Sequence, residues 1–416
     1  MSRVGRQCVI LAGGRGTRLG ALVDAEPKPM LTVAGRPFVE HLVREARRFG
    51  FDRFLFLAGY RGDRVAEHFA PTGSLARELG AQFATLTERE PLGTAGALRL
   101  AKDLLDDWFL MLNGDSYFDF NVLDLASATE ACIGRIALRR VADVSRYGVV
   151  ETDNGRVASF RARSSRSGPG LVNGGVYWLS KSTLDYLPEG SSSLEDHVFP
   201  RLAEAGLLQG KPYAGYFIDI GVPADYDAAG RELAAALRRP AVFFDRDNVL
   251  NEDKGYTHRV DDFEWVAGAP AAIKACNDAG CFVFVVSNQA GVARGFYDVA
   301  AVESLHDWMN EELCGLGAHI DAFRFCPHHP EGTVPAYAVE CSCRKPQPGM
   351  ILDLLKSWPV NPESSILIGD KTSDLEAGLA AGIRSVQFSG GNLERFVRAL
   401  LPSEVGKPPR VADEAL

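Results

Sequence analysis

The chain lacks any apolar run of about 18 residues, the length at which a segment becomes a candidate for crossing a bilayer. It also lacks an excess of basic residues, because its formal net charge is −9 at pH 7. We therefore expect neither a membrane nor a nucleic acid as a main partner. The basic start, Met1–Gln7, leads directly into a strand-like run and a glycine loop, so no secretory signal is expected and a cytoplasmic protein is predicted.

Cysteine is sparse, with 8 residues in 416. Five cysteines are scattered in apolar or helical surroundings and are predicted to be reduced core thiols. The other three form Cys326-x-His328 and Cys341-x-Cys343, which fits a metal site in a reducing compartment better than disulfides. Three thiolates and one imidazole complete the tetrahedral set of a structural Zn²⁺ site, with His329 as the alternative imidazole.

The pattern of apolar runs predicts an α/β protein with two doubly wound domains. Short buried-strand runs alternate with stretches of helical spacing on both sides of Arg238–Pro240, where the pattern breaks. We predict a first domain over residues 1–237 and a second over 238–401. Residues 402–416 are rich in Pro, Glu and Lys and are predicted to form a loose tail.

The first motif follows the earliest predicted strand and joins a glycine loop to a Thr-Arg pair: Gly13, Gly14, Gly16, Thr17 and Arg18. Glycines let backbone N–H groups approach phosphates without obstruction by a Cβ atom. Ten residues later Lys28 lies between two prolines, which restrict the backbone that carries it. Arg18 and Lys28 are therefore predicted to neutralise the phosphates of a nucleotide and a sugar phosphate.

This stretch resembles the sugar-1-phosphate nucleotidyltransferases over most of residues 7–230. The resemblance implies a Rossmann-like, glycosyltransferase-A-type fold. It also implies a reaction in which a sugar phosphate attacks a nucleoside triphosphate and pyrophosphate leaves, without a protein nucleophile.

The resemblance assigns further residues of the first domain. Glu88, Gly93 and Thr94 lie in a segment like the family's base-contacting loop, and Asp115 and Asp219 are implied as Mg²⁺ ligands. Asn173 and Gly174 lie in a segment like its sugar-contacting strand. Where the family often has Glu-Lys before that strand, this chain has Ala162-Arg163, so Arg163 is predicted to replace the phosphate-binding lysine.

The second motif begins with Asp245 and Asp247 directly after a predicted four-residue strand. At the end of a parallel strand both carboxylates reach the crevice where such sheets bind ligands. One can then act as a nucleophile and the other as an acid and base. Ser287, Lys345 and Asp370 follow in order along the chain.

That order resembles the haloacid dehalogenase superfamily of phosphatases across residues 241–390. The resemblance implies that Asp245 is the nucleophile and Asp247 the general acid and base. Mg²⁺ is implied to bind Asp245, the backbone carbonyl of Asp247, and Asp370, while Asp374 supports Lys371 or the metal shell. The implied phosphate- and substrate-binding residues are Ser287, Asn288, Arg344, Lys345 and Lys371. The family's glycine after the second aspartate is replaced by Asn248, which tolerates unusual backbone angles.

The Cys/His cluster narrows the resemblance to heptose-bisphosphate and histidinol-phosphate phosphatases. The run Ser287–Gly295 looks like the heptose branch. The leading hypothesis is a bifunctional enzyme. Its second half is expected to remove the 7-phosphate of D-glycero-D-manno-heptose 1,7-bisphosphate, and its first half to couple the resulting 1-phosphate to a nucleoside triphosphate, with GTP as the first choice and ATP as the second. The alternatives are a mannose-type guanylyltransferase fused to a histidinol-like phosphatase, and a regulatory sugar-nucleotide binder, which only Ala162 supports.

Overall fold

The structure is a computed structural model that describes residues 6–14, 16–24, 26–126, 132–145, 148–161 and 167–401. The predicted tail 402–416 lies outside these residues. The described residues divide into two compact units, one up to Ala235 and the other from Ala236 onward. Within the described part of the chain, no helix is both long and apolar enough to cross a membrane.

The N-terminal unit has these strands: β1 (Gln7–Ala12), β2 (Thr32–Val33), β3 (Arg36–Pro37), β4 (Arg53–Ala58), β5 (Gln82–Thr87), β6 (Trp108–Asn113), β7 (Ser116–Phe118), β8 (Gly134–Val141), β9 (Val149–Asp153), β10 (Arg156–Arg161), β11 (Gly170–Ser180), β12 (Leu208–Tyr213) and β13 (Phe217–Asp219). Its helices are α1 (Phe38–Arg48), α2 (Gly62–His68), α3 (Ser74–Leu79), α4 (Gly93–Leu100), α5 (Val122–Ala126), α6 (Phe199–Glu204) and α7 (Pro223–Ala236). Short 3₁₀ segments cover Thr17–Val23, Lys28–Met30, Lys102–Leu104 and Lys181–Tyr186, and a π-helical turn covers Leu194–Val198.

The main sheet of this unit, in the described residues, has the order β5-β4-β1-β6-β11-β8-β12-β10-β9. The first four strands are parallel, whereas β11 runs antiparallel to both β6 and β8. Strand order reverses between β1 and β6, so the loops after these strands open at a switch point, where α/β sheets bind ligands. The first motif follows β1, and Asn113–Asp115 follows β6.

The C-terminal unit contains β14 (Ala241–Phe244), β15 (Phe282–Asn288), β16 (Ala322–Cys326), β17 (Ile366–Gly369) and β18 (Arg384–Gln387). Its helices are α8 (Ala269–Asp278), α9 (Ala290–Ala293), α10 (Val299–Gly315), α11 (Gly349–Ser357), α12 (Thr372–Ala380) and α13 (Leu393–Arg398), with 3₁₀ turns at Val260–Asp262 and Pro362–Ser364. All neighbouring strands of the described sheet are parallel, in the order β16-β15-β14-β17-β18.

The central strand β14 shows why this sheet is covered on both faces. Val242 and Phe244 pack into one apolar cluster, and Ala241 and Phe243 pack into another. Successive side chains of a strand point to opposite faces, so all four residues are buried. Burial of each phenylalanine contributes about 2–3 kcal/mol to stability. The rigid strand therefore fixes the residue that follows it, Asp245.

Candidate active sites

A cavity of about 510 Å³ opens at the switch point of the N-terminal unit. Its volume is in the range of small-molecule sites. The predicted residues Gly13, Gly14, Glu88, Gly93, Thr94 and Asp115 all line it, together with Asn113, Gly59 and Tyr60. The last two follow β4 at the same edge of the sheet, a position that would have suggested them from the sequence.

The glycine loop lies against Glu88. A Cβ atom on Gly13 would lie 3.1 Å from Glu88 Oε1, and one on Gly59 would lie 2.6 Å from the same oxygen. Glu88 Oε2 accepts a hydrogen bond from the Leu92 amide at 3.1 Å. Burial raises the pKa of Glu88, and the Leu92 amide partly offsets this. These contacts explain why glycines occupy positions 13 and 59.

Lys28 joins the two predicted metal carboxylates. Its Nζ lies 2.6 Å from Asp115 Oδ2 and 3.6 Å from Asp219 Oδ1. Ser116 Oγ lies 3.2 Å from Asp115 Oδ1 and 3.3 Å from Asp219 Oδ2, so its single proton is shared between the two carboxylates. Burial, together with the charge of Asp115, raises the pKa of Asp219. Both carboxylates therefore lie against one ammonium group, whose charge offsets theirs.

The predicted sugar strand is tied to the cavity by a chain of hydrogen bonds. Asn173 Nδ2 donates to the hydroxyl of the buried Tyr177 at 2.7 Å, and that hydroxyl donates to Glu195 Oε1 at 3.2 Å. Thr94 Oγ1 donates to Glu195 Oε2 at 3.2 Å and accepts from the Leu194 amide at 2.8 Å. Glu195, on the π-helical turn, was not predicted from the sequence, because its segment shows no hydrophobic periodicity that would distinguish it.

The remaining predicted residues of this unit lie around the cavity. Gly16 has φ of +63°, and a Cβ atom there would lie 3.2 Å from Lys28 Cβ. Gly174 packs against Phe118, whose ring a Cβ atom would approach at 2.7 Å. Thr17 and Arg18 are exposed on the 3₁₀ segment and do not line the cavity. Arg163 lies outside the described residues.

A buried ion-pair cluster forms the centre of the C-terminal unit. Lys345 Nζ lies 2.7 Å from Asp245 Oδ1 and 2.6 Å from Asp374 Oδ1, and it donates to the Val286 carbonyl at 2.8 Å. Burial lowers the pKa of Lys345, but the two carboxylates outweigh it and the pKa is raised. Burial raises the pKa of Asp245 to about 6 even though Lys345 opposes the rise.

The position of Asp374 agrees with the expected support of Lys371 and adds a contact with Lys345. Its Oδ2 accepts from the Lys371 backbone amide at 3.0 Å, so it supports Lys371 through the main chain and supports Lys345 through an ion pair. Lys371 itself is exposed, with Nζ 3.9 Å from Asp370 Oδ2. Carboxylate oxygens of Asp245, Asp370 and Asp374 lie within 4.8 Å of one another. The carboxylate of Asp247 is not in this group.

Asp247 is instead held by buried polar side chains. Its Oδ1 accepts from Arg246 Nε at 3.1 Å, from Arg246 Nη2 at 2.9 Å and from Asn251 Nδ2 at 3.2 Å. Its Oδ2 accepts from Gln289 Nε2 at 3.2 Å. Arg246 is fully buried, and Nη2 also donates to the Thr257 carbonyl at 2.6 Å. Arg246, Asn251 and Gln289 were not predicted as site residues, although each lies within four residues of one that was.

The turn after Asp247 confirms the expectation for Asn248. Asn248 has φ of +63°, in the left-handed region that asparagine tolerates. Its Nδ2 donates to Asp370 Oδ2 at 3.1 Å. Asn248 therefore retains the turn that the family's glycine would make, and it adds a hydrogen bond to Asp370.

The phosphate-binding candidates lie on neighbouring segments. Ser287 is buried near the end of β15. Asn288 exchanges two hydrogen bonds of 3.0 Å with the backbone of Lys345 and so fixes its main chain. Arg344 Nη1 donates to the His328 carbonyl at 3.1 Å, which links it to the cysteine cluster.

The Cys/His cluster assembles as predicted. Ligand atoms of Cys326, His328, Cys341 and Cys343 lie within 4.8 Å of one another. The sulfur–sulfur distances run from 3.2 to 3.5 Å, and His328 Nδ1 lies 3.4 Å from Cys343 Sγ. The alternative imidazole, His329, instead accepts from the Glu331 amide. The four groups therefore suit a tetrahedral metal ion.

The two sites define a two-domain enzyme, with a nucleotidyltransferase in the first unit and a phosphatase in the second. The nucleotidyl transferase family matches residues 7–236, more than half of the chain, so the chain belongs to the nucleotidyl transferase family. Residues 342–414 match the HAD-hydrolase-like family.

Relatives named as heptose-bisphosphate phosphatases match part of the chain. The chain is 51% identical over 168 residues to D-glycero-beta-D-manno-heptose-1,7-bisphosphate 7-phosphatase of Rhodopseudomonas palustris, covering 40% of this chain and 93% of that protein. It is 42% identical over 141 residues to D-glycero-alpha-D-manno-heptose-1,7-bisphosphate 7-phosphatase of Photorhabdus laumondii, covering 34% of this chain and 77% of that one. Among solved structures, HddC from Yersinia pseudotuberculosis is 30% identical with a TM-score of 0.49, covering 55% of this chain and 99% of that chain.

Proposed function

We propose that this chain carries out two successive steps in the synthesis of a nucleotide-activated heptose. The second unit removes the 7-phosphate of D-glycero-D-manno-heptose 1,7-bisphosphate. The first unit then joins the resulting heptose 1-phosphate to a nucleotidyl group, from GTP first and ATP second, and releases pyrophosphate. The observation that carries this proposal is the 51% identity over 168 residues to a heptose-bisphosphate 7-phosphatase, in a chain that also contains a nucleotidyl transferase domain.

The names of these relatives favour the heptose branch over the histidinol branch. They include phosphatases for both anomers of the bisphosphate, so both anomers belong in the assay. The 7-phosphate is the group to remove because loss of the 1-phosphate would destroy the substrate of the first unit.

In the phosphatase, Asp245 is the nucleophile. Lys345 Nζ and the Arg246 amide both lie against Oδ1, at 2.7 and 2.8 Å, so we assign the attack on phosphorus to Oδ2. As the new bond forms, the bond from phosphorus to the sugar oxygen breaks, and Asp247 gives its proton to that oxygen. Water then attacks the aspartyl phosphate and gives a proton to Asp247, which frees inorganic phosphate and restores Asp245. Ser287, Arg344 and Lys345 bind the phosphoryl oxygens.

The phosphatase residues fit a divalent cation. Asp370 Oδ1 is buried and has no hydrogen-bond partner in the described part of the chain, and it belongs to the group of three carboxylates. Mg²⁺ held by Asp245, the carbonyl of Asp247 and Asp370 would neutralise charge on the phosphate. The Cys/His cluster fits Zn²⁺ with no ligand position left open, so its role is to order the segment that carries Arg344 and Lys345. Its three thiols require a reducing compartment, which supports a cytoplasmic protein.

In the transferase, the sugar phosphate oxygen attacks the α-phosphorus and pyrophosphate leaves, with no protein nucleophile. Asp115 and Asp219 fit Mg²⁺, since both already converge on the ammonium group of Lys28, and the ion would offset phosphate charge. Lys28 holds this carboxylate pair together and adds positive charge at the phosphates. All five of these residues line the cavity: the backbone at Gly13 and Gly14 would approach the nucleotide phosphates, and Glu88, Gly93 and Thr94 would contact the base.

The proposal is tested by assaying the purified chain on a panel of sugar phosphates and all four nucleoside triphosphates. Phosphate release should be fastest with heptose 1,7-bisphosphate, and pyrophosphate release should require heptose 1-phosphate and be fastest with GTP. A preference for mannose 1-phosphate and histidinol phosphate would overturn it.

A further inference from the structure

The side chain of Gln289 contacts two functional groups of the phosphatase site, the carboxylate of Asp247 and the hydroxyl of Ser287. This side chain, directly after β15, is only 1% exposed. Its Nε2 lies 2.7 Å from Ser287 Oγ and 3.2 Å from Asp247 Oδ2. Its Oε1 accepts from Tyr297 Oη at 2.9 Å and from Arg246 Nη2 at 3.3 Å. One buried amide therefore contacts the acid–base carboxylate and a predicted phosphate-binding hydroxyl.

The chemistry of its neighbours fixes which way this amide points. The guanidinium of Arg246 can only donate, so the atom facing it must be the amide oxygen. The carboxylate of Asp247, when ionised, can only accept, so the atom facing it must be the amide nitrogen. A flipped amide would place donor against donor and acceptor against acceptor.

This orientation determines the direction of the Ser287 hydroxyl. Gln289 Nε2 donates to Ser287 Oγ, so the proton of Ser287 is left for another acceptor. A phosphoryl oxygen is an acceptor without a proton to give. Gln289 thus sets Ser287 as a donor toward the substrate phosphate before the substrate arrives.

With the amide in this orientation, the two carboxylate oxygens of Asp247 differ in their hydrogen bonding. Oδ1 accepts from Nε and Nη2 of Arg246 and from Asn251, which occupies its lone pairs. Against Oδ2 the described residues place one donor, Gln289 Nε2. Oδ2 therefore retains a lone pair that can carry a proton.

We propose that Gln289 is a positioning residue that aligns Asp247 Oδ2 with the leaving-group oxygen and turns the Ser287 hydroxyl toward the phosphate. This proposal rests on the phosphatase reaction proposed above. When the Asp245–phosphorus bond forms and the bond from phosphorus to the sugar oxygen breaks, the proton on Asp247 Oδ2 moves to that oxygen. Gln289 gains or loses nothing in the step, and its contribution is alignment.

The test compares leaving groups that do and do not need this proton. When an alkyl phosphate such as heptose 1,7-bisphosphate is cleaved, the sugar leaves as a basic alkoxide unless its oxygen is protonated, whereas 4-nitrophenyl phosphate releases a stable phenolate. In Gln289→Met, which removes both N–H donors at similar volume, kcat for the alkyl phosphate should fall by about 10²-fold. For the aryl phosphate it should fall by less than about 10-fold, through Ser287 alone.

Two further variants keep the test decisive. Gln289→Glu keeps the length of the side chain and should give the same split between substrates, even if Gln289→Met does not fold. Tyr297→Phe removes a bond to Oε1 but leaves both N–H contacts, so its ratio of alkyl to aryl turnover should stay near wild type. An equal loss of kcat on both esters, or no loss on either, would overturn the proposal.

If the wild type does not cleave the heptose ester but does cleave a simple sugar 6-phosphate, the substrate assignment fails. The same comparison, made with that sugar 6-phosphate as the alkyl ester, then still tests the role of Gln289.

Discussion

Lys345 Nζ lies 2.7 Å from Asp245 Oδ1 in the interior of the C-terminal unit. The side chains of both residues are less than a tenth exposed, so neither charge is stable there without the other. The pair comes together because Asp245 follows the central strand β14, while Asn288 holds the backbone of Lys345. The structure thus places a cation at the carboxylate that we propose as the nucleophile.

Asp245→Asn should reduce phosphate release from heptose 1,7-bisphosphate by about 10³-fold or more, because an amide cannot form the aspartyl phosphate. Pyrophosphate release from GTP and heptose 1-phosphate should stay at the wild-type rate. The matched control is Asp261→Asn, at an exposed aspartate in a 3₁₀ turn, which should leave both rates unchanged. Phosphatase turnover near wild type in Asp245→Asn would show that the nucleophile is misassigned.

Elemental analysis of the purified chain should find about one Zn²⁺ per molecule, since three thiolates and one imidazole form a closed set. Cys341→Ser and Cys343→Ser should lose the metal, melt at a lower temperature and lose phosphatase activity as the segment carrying Arg344 and Lys345 loses order. Cys314→Ser, at a half-buried cysteine outside the cluster, should keep the metal. A metal-free preparation with full activity would contradict the structural role.

Lys28→Ala should stop formation of the nucleotide sugar, because the carboxylate pair of Asp115 and Asp219 loses the ammonium group between them. Pyrophosphate release should fall by about 10²-fold or more, as expected for loss of a group that offsets phosphate charge. Inorganic phosphate should still appear from the bisphosphate. Lys102→Ala, at an exposed lysine of the same unit, should retain both activities.

Glu40 gives a pH-dependent contribution to the stability of the N-terminal unit. Burial alone would raise its pKa, but hydrogen bonds and charge from His68 and Arg44 outweigh it and lower the pKa to about 2. A depressed folded-state pKa stabilises the fold above the unfolded pKa, and the gain is lost as pH falls toward the folded value. Glu40→Gln should therefore lower the free energy of unfolding by about 2 kcal/mol at pH 7.

That difference should shrink between about pH 4.5 and pH 2, because protonation removes the wild-type advantage. The measurement is urea unfolding at several pH values, read by hydrogen-exchange labelling of the α1 segment so that it reports this unit. Glu78→Gln, at an exposed partner of the same Arg44, should change stability by less than about 1 kcal/mol. A constant difference across the whole pH range would contradict the assignment.

The sequence predicted the strands that carry chemistry, because buried parallel strands are short continuous apolar runs. The run 241–244 matches β14, and the run 109–113 lies within β6 (Trp108–Asn113). The antiparallel placement of β11 between β6 and β8 was not predicted, since pairing partners leave no local signal.

For the site residues, too, the sequence predicted some features and not others. Motif spacing identified Asp245, Asp370 and the Cys/His cluster, because their positions follow from strand ends and ligand chemistry. The pairing of Asp374 with Lys345 depends on how two segments approach in space, as does the bond from Glu195 to Tyr177. Such contacts between distant segments are set by tertiary packing, which the spacing of a single sequence does not encode.

The two-step function is tested most directly when the purified protein is supplied with heptose 1,7-bisphosphate, GTP and Mg²⁺ and all products are followed. The wild type should form GDP-heptose, pyrophosphate and inorganic phosphate in equal amounts. Asp370→Ala should form none of them from the bisphosphate, yet added heptose 1-phosphate should restore GDP-heptose and pyrophosphate. A wild type that removes the 1-phosphate first, or an Asp370→Ala protein that heptose 1-phosphate does not rescue, would contradict the two-step function.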